Sequence, residues 1–172
     1  ASVTGVVESG TTAGLGSDNA TLAGMLTVTA GAIAADPGDT NNLAWSFDSG
    51  AEAFDYLDDG ESLTLTYTVQ VEDDSGATDS KEVVVTITGT NDAPAISVET
   101  GDSDSTTLTE TDAGLSDGGT LSVADLDLSD EVTASVTGVV ESGTTAGLGS
   151  DNATLAGMLT VTAGAIAADP GD

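Results

Sequence analysis

The chain has 172 residues and carries 30 Asp and Glu side chains against a single Lys and no His, for a formal net charge of −29. Nucleic acid and anionic membrane surfaces are excluded as partners, since both are held by clustered Lys and Arg, and Lys81 is the one cationic side chain. The lack of Cys, His and Arg removes disulfides, thiolate metal sites and the serine, cysteine and zinc hydrolase constellations.

Along the chain, period-two alternation of Val, Thr, Leu and Ile, punctuated by Gly, Asp, Asn and Ser, predicts strands. The first spans residues 2–7. Residues 8–23 read as a long loop rich in Gly, Ser and Thr, and the sequon at 19–21 as a three-residue coincidence. Residues 25–29 form the second strand, the Ala-rich stretch 30–35 has the composition of one short helical turn, and Asp36 and Asp39, around Pro37 and Gly38, form a plain turn. A strand at 43–47 follows. Its Trp45 and Phe47, with Phe54, Tyr56 and Tyr67, are the expected large core side chains.

Residues 62–71 (SLTLTYTVQV) set Leu63, Leu65, Tyr67, Val69 and Val71 on one face and polar residues on the other. With residues 82–88 (EVVVTIT), across the turn-rich stretch 72–80, they read as a hairpin of two long strands. Shorter strands are predicted at 96–98, 106–109, 120–124 and 132–140.

Residues 1–39 recur without change as residues 134–172, a period of 133 residues. Verbatim repetition points to an array kept uniform by duplication, which suits a spacer, a stalk or a multivalent binder better than a catalyst. Two-carboxylate glycosidase chemistry survives on residue types alone, but the repetition argues against it, and the expectation is a protein that is not an enzyme. Roughly seven to nine short strands per period, each with one apolar face, predict an all-β fold, an antiparallel immunoglobulin-like β-sandwich.

High net charge with 3% aromatic residues is also a signature of disorder, opposed here by 38% hydrophobic content and by the alternation. Self-repulsion at this charge requires cations on the clustered carboxylates, so a hard cation with oxygen ligands is the expected staple. No apolar run approaches the roughly 20 residues of a membrane-spanning helix, and no signal peptide is visible.

At residues 89–96 the chain reads GTNDAPAI directly after the strand EVVVTIT, which resembles the domain-ending signature of VCBS-type, cadherin-like repeats in very large calcium-dependent bacterial adhesins of the RTX type. The family's opening, an acidic stretch, a strand and a DxDxxD-like run, is similar to LTETD at 108–112 and LSVADLDLSD at 121–130. Its closing half is similar to residues 61–88, and the resemblance spans essentially the whole period. It implies a cadherin-like sandwich whose domain begins near Ala95 and ends near Pro94 of the following copy. Residues 1–94 then form the C-terminal part of one repeat and residues 95–172 the N-terminal part of the next. Completion of residues 1–94 by residues 95–133, within one chain or by exchange between chains, is the expected partnership, together with neighbouring repeats.

The acidic residues fall in several groups. Asp125, Asp127 and Asp130, followed by Glu131, are the densest, and extended alternation sets Asp125 and Asp127 on one side about 7 Å apart, within reach of one Ca2+. Asp73, Asp74 and Asp79 surround Gly76 in the hairpin loop as a second candidate, although the loop fails the EF-hand alignment. Asp102 and Asp104 are a weaker pair. By resemblance to cadherin-like junctions, Asn91 and Asp92 bind an ion shared with the next domain, and Glu110 and Asp112 close that site. The turn chemistry of Asn-Asp and a solvated acidic edge are the alternatives. The function these expectations compose is an extender repeat of a secreted bacterial surface adhesin, exported by a type I system, acting in adhesion and biofilm formation. The alternative is a multivalent module that binds glycan or surface.

Overall fold

A computed structural model describes residues 1–29, 31–34, 43–161 and 165–167. The turn expected at Asp36 and Asp39 and both ends of the 30–35 stretch lie outside them, and residues 31–34 form no helix. The order of elements is β1 (Ser2–Gly10), α1 (Asn19–Gly24), β2 (Leu26–Val28), β3 (Trp45–Phe47), β4 (Ser62–Glu72), β5 (Thr78–Thr88), β6 (Ala95–Ser97), β7 (Ser122–Ala124), β8 (Glu131–Thr133), α2 (Asn152–Ala156) and β9 (Ala165–Ala167). Among the described residues all paired strands are antiparallel and the two helices are short, so the regular structure is mostly β.

The main sheet has the order β1-β4-β5. β4 and β5 stay in register from Ser62 opposite Thr88 to Glu72 opposite Thr78, because their alternation is uninterrupted and a one-residue slip would turn every apolar side chain outward. Leu63, Leu65, Tyr67 and Val69 are buried on one face, with Val83, Val85 and Ile87 beside them. β1 joins the other edge of β4, brings Val6 opposite Tyr67 and carries a bulge between Val3 and Gly5.

Over this face lie α1 and the β2–β3 ribbon. Leu22, Met25 and Leu26 are buried, the Tyr67 hydroxyl donates to the Leu22 carbonyl at 2.9 Å, and Phe47 meets the Tyr67 ring edge-on with centroids 6.4 Å apart. The burial drives association and the hydroxyl bond keeps the polar tip satisfied.

Several expectations are corrected. The loop expected at 8–23 contains the end of β1 and a helix, α1, whose start is capped by the Asp18 side chain accepting the Thr21 N–H at 2.8 Å. β5 begins at Thr78, since the hairpin closes tightly around Gly76, which has φ of 82°. Trp45 is not a core residue: it is 52% exposed, whereas Phe47, two residues along the same strand, packs against the Tyr67 ring. The strand expected at 106–109 does not form, and the one expected at 132–140 is confined to β8. Residues 135–143 repeat β1 letter for letter but have no β4 alongside them.

Candidate metal centre

Where β5 runs out toward the Asn91–Pro94 stretch, two acidic loops meet. The first carries Asp58, positioned by the buried Leu57 before it. Its N–H donates to the Glu61 carboxylate at 3.2 Å, and its carbonyl accepts the Glu61 N–H at 3.0 Å. The Gly89 N–H donates to the Glu61 carbonyl at 3.0 Å, which ties this loop to the end of β5. A Cβ on Gly89 would lie 2.2 Å from the carbonyl oxygens of both Leu57 and Asp58, so only glycine permits this approach. The loop is also bent upstream at Phe54, a non-glycine residue with φ of 61°, whose carbonyl accepts the Leu57 N–H.

The second loop holds Asp125, Asp127 and Asp130. It is a turn, with the Asp130 N–H donating to the Asp127 carbonyl at 3.0 Å, so the extended geometry expected for Asp125 and Asp127 is replaced by a compact one. Leu128 anchors it by packing against the main core beside Tyr56 and Gly14. Asp125 accepts the Asp127 N–H at 3.2 Å, and Asp127 Oδ2 accepts the Asp92 N–H at 2.5 Å.

Asp58, Asp127 and Asp130 each offer a carboxylate oxygen, and the three atoms lie within 4.8 Å of one another. Asp127 is 0% exposed, and its Oδ1 has no hydrogen-bond partner. Asp125, 3% exposed, adds a further buried carboxylate beside it. Burial raises the Asp127 carboxyl above the usual range, the Asp92 N–H opposes that, and the charges of Asp58, Asp92 and Asp125 add to it. Asp130 is raised by desolvation and by Asp58, Asp125 and Asp127. Lys81 gives no relief, since it sits on β5 opposite Val69, toward the hairpin end of the sheet.

Ca2+ binds oxygen at about 2.4 Å, so two ligands of one ion stand at most about 4.8 Å apart, and the three carboxylate oxygens lie inside that limit. A buried carboxylate with an unpaired oxygen, surrounded by like charges, is a costly arrangement that a hard cation would relieve. The donor set is all oxygen, with no nitrogen or sulfur that would favour zinc or copper.

Of the residues expected at metal sites, Asp127 and Asp130 fall in this group, Asp125 borders it, and Asp92 contributes its backbone N–H. Asn91 is exposed with its side-chain amide turned to the Asp92 carbonyl. Glu110 and Asp112 are exposed in a segment without regular structure and are not part of the group. In the hairpin loop, Asp73 Oδ1 accepts the N–H groups of Ser75 and Ala77 and Asp79 accepts that of Ser80, while Asp74 is exposed; among the described residues these three do not form a group at ligand spacing. Asp102 clasps the β6–β7 pair, accepting from Thr120, Ser122 and the Glu99 N–H, which hold its carboxyl below the usual range. The sequence reading did not single out Asp58. Asp58-Asp59-Gly60 reads as a turn, and nothing local shows that it faces residues some 70 positions away.

Comparison of the chain with protein-family models, with curated proteins and with solved structures returns no match.

Proposed function

We propose that this chain is spacer material of a large bacterial surface adhesin, built of calcium-stapled repeats with an immunoglobulin-like sandwich fold. The observation that carries the reading is the carboxylate group of Asp58, Asp127 and Asp130, with its unpaired Asp127 Oδ1, lying where residues 1–94 and 95–133 meet. A cation there joins two sequence-distant segments across Asn91–Pro94, neutralises charge in a chain of net −29, and converts a flexible junction into a stiff one. Ions that bind only the aligned, folded state stabilise it by mass action. The verbatim recurrence of residues 1–39 at a period of 133 residues and the GTNDAP signature support the same reading, which carries with it secretion to the cell surface and a role in adhesion and biofilm formation.

A glycan- or surface-binding module is the second reading, favoured by one observation, the exposed Trp45 on β3. It predicts that Trp45→Ala abolishes binding to glycans or surfaces by the isolated chain. The spacer reading predicts no ligand beyond the cation.

Calorimetric unfolding in millimolar calcium, in excess chelator and in magnesium tests the spacer reading. The expected outcome is a calcium-specific rise in melting temperature, of about 4–8 °C for each kcal/mol of linkage if the folded unit is near 100 residues. Identical melting in all three buffers rules out the staple.

A further inference from the structure

Residues 134–161 repeat residues 1–28, and the two copies meet opposite fates. In the first, β1 lies along β4 with Val6 opposite Tyr67, and Met25 and Leu26 are 5% and 3% exposed. In the second, Ser135 to Gly143 form no strand, and Met158 and Leu159, the counterparts of Met25 and Leu26, are 68% and 65% exposed. The same side chains that close the core in one copy face solvent in the other. The structure therefore shows what covers this apolar face, because an identical segment is already seated against β4, Phe47 and Tyr67.

We infer that residues 134–161 are a second, interchangeable donor for the half-core presented by residues 43–88, able to take the place of residues 1–28 within one chain. Connection lengths allow it. Residues 29–42 link the first donor to the half-core, and residues 89–133 link the half-core to the second. Closure entropy depends only logarithmically on loop length, so the longer connection is disfavoured only modestly. Intramolecular capture also wins over pairing between molecules at micromolar protein, given effective concentrations of order millimolar.

What holds the second donor off is the turn at Leu128. Ser135 would have to reach the Gln70 end of β4, where Ser2 now sits, whereas Leu128 packs near Gly14, beyond the Leu63 end. Seven residues of extended chain reach about 25 Å, and the seven steps from Leu63 to Gln70 alone take about 23 Å. Exchange therefore requires Leu128 to leave its place beside Tyr56 and draws Asp127 and Asp130 away from Asp58. One donor is seated with the acidic group assembled, and the other is seated only with that group open.

The test disables each donor in the full chain. Val6→Asp buries an unpaired carboxylate in the first copy, Val139→Asp makes the same change in the second, and a double variant disables both. All are melted in a buffer in which the unmodified chain unfolds cooperatively, followed by the fluorescence of Trp45, the sole tryptophan. Each single variant is expected to keep the cooperative transition, and the double variant to lose it. A double variant that behaves like Val6→Asp alone overturns the inference. A second measurement reports the pairing itself. Val7 lies opposite Thr66, and the chain has no cysteine, so Val140→Cys with Thr66→Cys forms a cross-strand disulfide only if the second copy is seated. That disulfide is expected in monomers of the Val6→Asp chain and not of the otherwise unmodified one. Its absence from the Val6→Asp chain, or its appearance only between chains, overturns exchange within the chain.

Discussion

Asp127 is the residue on which the candidate site turns. Its folded carboxyl lies above the usual value while the unfolded one titrates near about 3.9, so the metal-free folded state binds more protons between those two values. The cost of holding it ionised is fully present above the raised value and fades as pH falls toward the unfolded one. Metal-free chain is therefore expected to melt at higher temperature as pH is lowered from neutral toward about 4. Below that, Asp102 and Asp117, whose carboxyls are held low by hydroxyl donors, give up stability as they protonate. Asp127→Asn removes the charge while keeping an oxygen toward the Asp92 N–H. Melting curves across pH, with and without calcium, should show that it flattens the acid-side rise and abolishes the calcium response. A variant that keeps the full response would place the ion elsewhere.

Among elements, the duplicated segment separates what is written locally from what is not. The helix forms in both copies, with Asp18 capping Thr21 and Asp151 capping Thr154 at the same 2.8 Å, because a cap is satisfied by residues three apart. The strand forms only where β4 lies beside it, because a strand's hydrogen bonds are made to a neighbour that its own letters do not specify. This is why the β4–β5 hairpin, which supplies its own partner, was legible from alternation, while the confinement of the 132–140 strand to β8 and the exposure of Trp45 were not. Leu65 on β4 has no duplicate within the 172 residues. Leu65→Ala should lower the unfolding free energy by about 2–5 kcal/mol, and Val84→Thr, on the solvent face of β5, by no more than about 0.5. Urea titrations of the two variants check the difference.

For the whole molecule, alternation and turn residues already pointed to an antiparallel β protein, and acidic spacing marked Asp125, Asp127 and Asp130. Asp58 came only from the fold, because tertiary packing of Leu57, Gly89 and Leu128 brings its loop to theirs. Several other marked carboxylates proved to accept hydrogen bonds from nearby backbone N–H groups, an ordinary use of Asp beside Gly and Ser.

The solitary Lys81 has a consequence for proteolysis. Trypsin cuts after Lys and Arg, so this chain offers it one peptide bond, Lys81–Glu82, in the middle of a strand paired residue by residue with β4. A protease must take that bond as an extended, unpaired segment, so cleavage waits for β5 to leave the sheet. Digestion should give two fragments, of 81 and 91 residues, at a rate set by that opening alone. A gel lane of intact chain after long exposure to trypsin, beside prompt cutting in urea, would make this enzyme a single-site gauge of the hairpin, and would mark the folded chain as poor prey for trypsin-like proteases.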